Sequence, residues 1–451
     1  MARAARGEFA YRKVYRYLIA LIDEAPDAGP CRLPSLRALS RQLRVSLATV
    51  QSAYNLLEEE GRVRCLPRSG YFIQGAAKGE AASMPTQAPL PAQPTLERAL
   101  FSHERRLARQ RMHGATAWAE VGSARLRLAL AQRYTRSSSQ YWRAEDVQLA
   151  PDVPALLETL LAALALRGGT VLVHAPCCPQ VLRALARASM RVLEVPADPR
   201  GNPDLRAVAR LLGSEPVCMM VMPSCLGMPQ GRVVAPHYQR QLGQLLARHP
   251  VWLLENDLDS EHCYSGPPSQ RLRDWADPRW LLVMGAFEAV VGAEAPYAYV
   301  LGPDGLLAGA FAERAFRLAP LRLQALAQML GKREAEAQLV RLRSGLQRRV
   351  QCLAHALELQ FGERVVLETP EGGQALWVRF RQPLAWEGIA AALAGSALHA
   401  LPGTHFSLQG RYQQYLALVW MGEHTEALQQ AVVRLAQALE LRCGRPVGIA
   451  G

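Results

Sequence analysis

Apolar residues recur with a helical period near the start of the chain. Residues 10–25 predict one amphipathic helix, and Pro34 and Ser35 open a second, short helix whose leucines follow a 3–4 spacing. The leucines that define this second helix are Leu36, Leu39 and Leu43. A turn is predicted next, because Ser46 is suited to cap the N-terminus of a following helix.

The helix after Ser46 is predicted to run to about Glu60, since Gly61 stands where a glycine commonly ends a helix. Its apolar face consists of Val50, Tyr54 and Leu57, and its outward first turn consists of Leu47, Ala48, Thr49 and Gln51. Two short strands at residues 62–66 and 71–74 follow. Together these elements predict a helix-turn-helix with a β-hairpin wing. Such a motif enters a DNA major groove with the start of its second helix.

The middle of the chain alternates between short apolar runs and helical patterns. Six runs have the length and bulk of strands buried on both faces, at residues 170–174, 192–195, 217–222, 252–255, 281–285 and 297–301. Helices are predicted between them at residues 154–166, 180–188, 205–212 and 238–248. This alternation predicts a mostly parallel sheet covered by helices.

The segments around this sheet have simpler patterns. Residues 75–95 are rich in Ala, Pro, Gly and Gln without apolar periodicity, which predicts a linker. A basic helix is predicted over residues 96–113. Residues 321–361 predict one long helix that leads to a small α+β region. That region has predicted strands at 374–380 and 415–421 and a terminal helix at 423–440.

The charge of the chain indicates an anionic partner. Its 451 residues are enough for about two to four domains, and its net charge is +13 with a pI of about 9.6. DNA phosphates are the simplest partner for such a charge. Residues 1–74 carry 12 Lys and Arg against 7 Asp and Glu, a net of +5. Residues 96–143 carry 10 Arg against 3 Glu, a net of +7, which is either a solvated helix face or a second surface for the DNA backbone.

Composition also bears on location and on metal chemistry. No apolar run reaches the roughly 18 to 20 residues of a membrane span, and the N-terminus lacks the apolar core of a signal peptide, so no membrane partner is expected. Nine scattered cysteines fit a reducing cytoplasm. The chain has no C-x-x-C pair, and the His, Cys and acidic residues at 257–263 are interpreted as a solvated loop. We therefore expect no metal site.

Four motifs mark the N-terminal pattern: L-P-S-x-R from Leu33, V-S-x-A-T-V from Val45, A-Y-x-x-L-E-x-E-G from Ala53 and S-G-Y-F-I from Ser69. They resemble the winged helix of the GntR family of bacterial transcription regulators. The expected DNA contacts are Arg37, Ser46, Thr49, Gln51, Arg68, Ser69 and Gly70. Family members often have arginine where this chain has Leu47, so the other contacts are expected to contribute more.

The rest of the chain resembles fold-type I aminotransferases. Its landmarks are the V-M-P-S run at Pro223, residues 255–264, M-G-A-F at Met284, Y-A-Y-V-L at Tyr297 and L-P-G-T-H-F from Leu401. Joined to a winged helix, such a domain resembles the MocR subgroup of the GntR family.

The fold class implied is multidomain. It combines a winged helix-turn-helix with an α/β aminotransferase-like domain that has a mostly parallel sheet and a small C-terminal α+β subdomain. The predicted domains are a DNA-binding domain at 1–74, a linker at 75–95, a large domain with its basic N-terminal arm at 96–330 and a small domain at 331–451.

The resemblance implies a lysine that binds pyridoxal phosphate as an imine, because only an amine condenses with the aldehyde. The family run G-S-F-S-K corresponds here to residues 285–289, with Ala289 at the lysine position. The whole chain has three lysines, Lys13, Lys78 and Lys332, and none is predicted in a strand-end loop, where such folds bind cofactors. We therefore expect no catalytic residue, no enzyme activity and no covalently bound pyridoxal phosphate.

Further cofactor positions implied by the resemblance are also replaced. The degenerate positions beside Ala289 are Asn256 and Leu258 in the acidic run, Met228 for an asparagine, Pro296 for a phosphate-binding arginine and Ala417 for a carboxylate-binding arginine. Which acidic position would face the ring nitrogen stays open. The phosphate turn carries Asp152, whose carboxylate would repel phosphate, and the ring-stacking aromatic is replaced by Cys178.

The leading hypothesis is a cytoplasmic DNA-binding transcriptional regulator. Its aminotransferase-like domain would serve as a dimerisation and effector-sensing scaffold without a pyridoxal phosphate imine. One alternative is a pseudo-enzyme that docks a protein partner. The other is an active pyridoxal enzyme fused to a DNA module, against which the missing lysine argues. The expected partners are double-stranded DNA, a second copy of the chain, and a small-molecule or protein effector.

Overall fold

A computed structural model of the chain describes residues 10–23, 32–59, 63–66, 70–73, 96–111, 118–198, 201–303, 305–330, 332–381, 384 and 386–440. These residues form an N-terminal helical unit with a hairpin, a large α/β unit and a smaller α+β unit, as the predicted fold class requires. Gly61, Arg68, Ser69 and the linker predicted at 75–95 lie outside the described residues.

The N-terminal unit contains three helices and one antiparallel hairpin: α1 (Ala10–Asp23), α2 (Leu36–Leu43), α3 (Leu47–Glu59), β1 (Val63–Leu66) and β2 (Gly70–Ile73). Ser35 caps α2 by accepting the N–H of Ala38 at 3.2 Å. Ser46 caps α3 by accepting the N–H of Thr49 at 3.1 Å, as its position predicted. The predicted apolar face of α3 is fully buried at Val50, Tyr54 and Leu57.

The large unit is built on a seven-stranded sheet. Its strands are β3 (Val147–Ala150), β4 (Thr170–Ala175), β5 (Arg191–Pro196), β6 (Val217–Pro223), β9 (Trp252–Asn256), β10 (Leu281–Ala286) and β11 (Ala298–Leu301), with a separate hairpin of β7 (Leu226–Gly227) and β8 (Arg232–Val233). The spatial order is β3-β11-β10-β9-β6-β4-β5. Only β11 is antiparallel to its neighbours, so the sheet is mostly parallel.

Helices cover this sheet: α4 (Glu97–Arg111), α5 (Trp118–Arg136), α6 (Val153–Ala163), α7 (Pro179–Arg187), α8 (Leu205–Ser214), α9 (Pro236–Leu246), α10 (Glu288–Val291), α11 (Ala308–Arg314) and α12 (Pro320–Leu330). Along β10, Leu281 and Val283 belong to one apolar cluster while Leu282 and Met284 belong to another. Alternate side chains of a strand point to opposite faces, so the sheet is buried on both faces. The six predicted strands and the four predicted helices are confirmed, and none of their ends differs from the prediction by more than three residues.

The small unit contains α13 (Arg333–Phe361), β12 (Val365–Leu367), β13 (Leu376–Phe380), α14 (Trp386–Leu393), β14 (Leu398–Pro402), β15 (Tyr415–Trp420) and α15 (Thr425–Glu440). Its sheet is antiparallel, in the order β12-β13-β15-β14. Short 3-10 helices occur at Ala144–Asp146, Ser260–His262, Leu272–Asp274, Pro278–Trp280, Gly362–Arg364 and Gly403–Phe406.

One predicted element was wrong. The sequence pattern predicted a single helix over residues 321–361, but α12 ends at Leu330 and α13 begins at Arg333. Between them, Lys332 has extended backbone angles, φ −104° and ψ 140°. Its neighbour Gly331 is a residue type that is unfavourable inside helices, and apolar periodicity continues across the break. No helix among the described residues combines the length and hydropathy needed to cross a membrane.

Candidate functional site

The first turn of α3 holds the polar residues predicted to contact DNA. Leu47 is 48% exposed, Ala48 is exposed, and Thr49 and Gln51 are half-buried. The hydroxyls of Ser46 and Thr49 are hydrogen-bonded to each other at 2.7 Å. The structure therefore brings Ser46, Thr49 and Gln51 together at the N-terminus of α3.

Gln51 is connected to the wing. Its Nε2 donates to Asn55 Oδ1 at 2.7 Å and to the hydroxyl of Tyr71 at 2.9 Å. An amide nitrogen has two hydrogens, so both donors of Gln51 are engaged within the protein, and Oε1 remains as an acceptor. A paired amide contact to adenine would require one of these two internal bonds to open.

Exposed arginines surround this helix-turn-helix. Arg37, predicted as a contact, lies exposed on α2, and Arg32, Arg41 and Arg44 are exposed beside it. The Arg32 guanidinium lies against Gly70, where a Cβ would be 3.4 Å from Nε. Gly70 has a φ of +100°, which an L side chain rarely adopts. Arg32, Arg41 and Arg44 were not among the predicted contacts, although they contribute to the basic charge of residues 1–74.

In the large unit, Ala289 lies in α10, directly after β10. Its backbone carbonyl accepts a hydrogen bond from His262 Nε2 at 2.8 Å. Asn256 ends β9, and its Oδ1 accepts the backbone N–H of Leu258 at 3.2 Å. The three positions to which the resemblance assigns cofactor contacts therefore carry a methyl group, an amide and an isobutyl group.

Two carboxylates occupy the region where the resemblance implies phosphate contacts. Asp152 caps α6 by accepting the N–H of Ala155 at 2.7 Å. Burial raises the pKa of Glu288, and the negative charge of Asp152 raises that pKa further. Pro296 is exposed and brings no charge. Burial also raises the pKa of the Cys178 thiol, to about 11, so this side chain is a neutral thiol at physiological pH.

Ala417 is fully buried in an apolar cluster of the small unit. Its buried members are Ala375, Leu401, Phe406, Ala417 and Val419, and Met228 and Trp377 pack against them. Met228 belongs to the large unit, so the cluster spans the two units. The position to which the resemblance assigns a carboxylate-binding arginine is therefore surrounded by apolar side chains.

The acidic run after β9 forms a buried ionic network. Asp257 has a side chain that is 4% exposed; it accepts from Arg273 Nη2 at 2.6 Å and from the hydroxyl of Tyr134 at 2.8 Å. Arg271 Nη1 lies 3.3 Å away. Burial alone would raise the pKa of Asp257, but Arg273 and Arg271 outweigh burial and hold that pKa below its usual range. Arg273, itself fully buried, also pairs with Glu255 at 2.9 Å.

The network continues to the helix that leads into the small unit. Glu261 pairs with Arg133 of α5 and with Arg343 of α13, each at 2.5 Å. The prediction of a solvated loop at 257–263 was therefore wrong: His262 is 2% and Cys263 1% exposed, because arginines from three other segments pair with the acidic residues of the loop. Among the described residues, no group of three or more His, Cys, Asp or Glu side chains could hold a metal ion.

Comparison with known proteins agrees with this architecture. Residues 10–73 match the model of bacterial regulatory proteins, gntR family. The chain is similar to the uncharacterized HTH-type transcriptional regulator YjiR of Escherichia coli, with 24% identity over 94% of this chain and 99% of that protein. It is also similar to the probable rhizopine catabolism regulatory protein MocR of Rhizobium meliloti, with 21% identity over 95% and 93% of the two chains.

Among solved structures, the multiple substrate aminotransferase from Thermococcus profundus is similar, with a TM-score of 0.67 and 19% identity over 80% of this chain and 91% of that one. This likeness concerns the fold alone. The winged helix, the aminotransferase-like fold and the regulator relatives together define a DNA-binding transcription regulator with an aminotransferase-like domain. Residues 10–73 are thus a gntR-type DNA-binding domain, and the chain as a whole is similar to regulators of the MocR type.

Proposed function

We propose that this regulator binds its operator as a homodimer and that its aminotransferase-like domain senses an effector without a pyridoxal phosphate imine. The observation that carries the proposal is Ala289 on α10, a methyl group without an amine at the position where the resemblance implies the lysine. A methyl group cannot condense with an aldehyde. The domain then contributes dimerisation and ligand recognition, not amino-group transfer.

The residues around Ala289 also fit the cofactor poorly. A phosphate would meet the carboxylates of Asp152 and Glu288. Burial raises the pKa of Glu288, and the charge of Asp152 raises it further. Asp257 cannot approach a ring nitrogen without leaving Arg271 and Arg273. A substrate carboxylate would meet the apolar cluster at Ala417 instead of a guanidinium. These three features and the missing amine at Ala289 therefore support the same proposal.

The first experiment tests for an imine. The purified full-length protein is mixed with excess pyridoxal phosphate, its absorbance is recorded, and borohydride reduction is followed by peptide mapping. We expect no imine band and no stoichiometric phosphopyridoxyl adduct. A stoichiometric adduct on any of the three lysines would overturn the proposal.

A matched variant separates the lysine from the rest of the site. Ala289→Lys restores the amine alone, and we expect it to remain without an imine band because the phosphate and ring contacts are still missing. A stable imine in Ala289→Lys would show that the remaining residues can hold the cofactor. In that case the loss would be confined to one residue, and the wider degeneration proposed here would be wrong.

DNA binding and assembly are tested separately. A single winged helix reads one half-site, and two-fold pairing lets two be read. We expect a homodimer in sedimentation velocity at micromolar concentration and a specific gel shift with the region upstream of the protein's own gene. A monomer would contradict the dimeric proposal. Absence of a shift at that region would favour the alternative in which the domain mainly docks a protein.

The basic face of α4 supports a second contact to the DNA backbone. Arg98, Arg105 and Arg109 are exposed there, whereas Arg106 donates to Gln328 of α12 at 2.7 Å. Each phosphate neutralised should contribute about 0.9 to the slope of log binding constant against log salt concentration. We expect Arg105→Ala with Arg109→Ala to flatten that slope. An unchanged slope would show that the basic face of α4 is solvated and does not contact the DNA backbone.

A further inference from the structure

A cavity of about 480 Å³ lies between α5, the loop after β9, α10 and the junction of α12 with α13. Its volume is within the range of small-molecule sites in proteins, about 300–1,000 Å³. Ala289, Asn256, Met228, Pro296 and Ala417 do not line it, whereas Leu258 forms part of its wall. The cavity is therefore next to the positions that the fold family uses for its cofactor and is separate from most of them.

The ionisable lining of this cavity is mainly basic. Its cations are Arg133, Arg136, Arg271, Lys332, Arg333 and Arg343, and its anions are Asp257, Glu261 and Glu336. The three anions already have partners: Glu261 pairs with Arg133 and Arg343, Glu336 lies 3.7 Å from Arg133, and Asp257 is held by Arg271 and Arg273. Among the described residues, Arg136, Lys332 and Arg333 have no ion-pair partner, so the lining keeps an excess of positive charge.

One buried arginine in the floor has a donor to spare. Arg271 is 7% exposed, donates through Nη1 to Asp257 and contacts the carbonyl of Pro268 through Nε. Its Nη2 has no acceptor in the described part of the chain. A guanidinium N–H that is not engaged within the protein can donate a charge-assisted hydrogen bond to an anionic oxygen of a ligand. The floor around it includes the hydroxyls of Tyr134 and Tyr299, which are 3.2 Å apart.

The remaining lining adds a helix N-terminus and an apolar wall. α13 has 29 residues and begins at Arg333 without a side-chain cap, and its first turn lines the cavity. The N-terminus of a long helix favours negative charge. The apolar part of the lining consists of Leu96, Phe287, Val290, Val291, Met329 and Leu330.

We propose that this cavity binds a small organic anion, a carboxylate or a phosphate ester, with an apolar body. The anionic group accepts from Arg271 Nη2 and lies near Lys332 and Arg333, and the apolar body packs against Phe287, Val291 and Met329. Because the cavity lies between the large unit and the start of α13, the ligand would contact both the strand-end loop and the helix that leads to the small unit. This inference deepens the proposed effector-sensing role and rests on it.

The test uses three probes of the same shape on the full-length protein without DNA. Isothermal titration with benzoate, phenyl phosphate and neutral benzamide compares a carboxylate, a phosphate ester and an uncharged analogue. We expect saturable binding of at least one anion and none of benzamide. Equal binding of benzamide, or no saturable heat from either anion up to about 20 mM, would overturn the proposal.

Variants assign the binding to this cavity. Lys332→Ala with Arg333→Ala should weaken the anion about tenfold or more, and Arg136→Ala is an independent variant at the same cavity. Arg381→Ala, an exposed arginine of the small unit, is the control with equal loss of charge per residue. Anion binding that is equal in all four proteins would place the site elsewhere and reject the proposal. Since no DNA is present, this result is independent of operator binding and of the imine test.

Discussion

The winged helix and the strand-end loop of the large unit place their polar residues in opposite environments. In the winged helix, Ser46 and Arg37 are exposed, and Gln51 is half-buried. In the large unit, Asp257 and Arg273 are buried and are bonded to each other. Both regions are rich in charged and polar side chains, so composition alone does not separate them.

The difference indicates how easily the polar groups of each region can exchange their partners. A polar group at the surface can exchange its internal bond, or its water, for a phosphate or a base edge at small cost. A buried charge that loses its partner keeps the full cost of desolvation. The winged helix is therefore suited to recognition, whereas the network around Asp257 stabilises the fold. Four predictions test this contrast, in order of decreasing effect.

The largest effect is expected from Arg273→Ala. This change leaves Asp257 and Glu255 buried without their main cation, and should lower the free energy of unfolding by about 3–5 kcal/mol. Chemical denaturation followed by circular dichroism measures it. Arg279→Ala, whose side chain is 82% exposed, is the control and should unfold at nearly the same denaturant concentration as the parent. Equal midpoints for the two variants would contradict a structural role of the network.

Ala417→Arg should be the next most damaging change. It places a long charged side chain in the apolar cluster with Leu401 and Phe406, which should cost about 2–4 kcal/mol through overpacking and desolvation. Leu359→Arg, at a position 71% exposed, should be nearly neutral in the same denaturation assay. If Ala417→Arg were as stable as the parent, the protein would have room for a charged side chain at this position, and the apolar packing described for Ala417 would be contradicted.

In the winged helix, Gln51→Ala should leave the fold intact and act on DNA recognition. We expect it to relax the preference at one base pair by about 1–3 kcal/mol with little change in the salt slope. Arg68→Ala should weaken binding to all sequences and flatten the slope by about one charge. Binding to operator variants at several salt concentrations measures both. Identical behaviour of the two variants would reject the assignment of α3 to the groove and of the wing to the backbone.

The smallest effect is expected from Tyr71→Phe. The change removes the hydroxyl that engages Gln51 Nε2 and keeps the ring contact with Tyr54, whose centroid is 4.3 Å away. One amide hydrogen of Gln51 is then free, which should sharpen the preference at the same base pair by up to about 1 kcal/mol. The gain should vanish in the Gln51→Ala background. A gain that persists there would show that Tyr71 acts independently of Gln51.

Local elements could be predicted well where one physical pattern dominated. The strands at 170–174 and 281–285 are short apolar runs because both faces of the sheet are buried, and α3 was predicted because its cap and apolar face agree. The break at residues 331–332 was missed, since apolar periodicity continues across it. Two further strands of the small unit, β12 and β14, were missed as well; β12 has only three residues.

The contacts in the candidate sites also divide into those that the sequence could predict and those that it could not. Ser46, Thr49 and Gln51 are close in sequence, so a helical spacing was sufficient to place them together. The partners of Asp257 could not be predicted, because Arg271 and Arg273 follow 14 and 16 residues later and Tyr134 precedes it by 123. Arg343 likewise reaches Glu261 from 82 residues away.

The order of residues alone was enough for the winged helix, the mostly parallel sheet and the absence of a lysine at position 289, because these depend on residue identity and local periodicity. Packing between distant segments decides the rest. It pairs the acidic loop with arginines, surrounds Ala417 with apolar side chains, engages both amide hydrogens of Gln51 and leaves an excess of cations around the cavity at the start of α13. Charges and hydrogen bonds act over a few ångströms, and only the folded chain brings those groups within that distance.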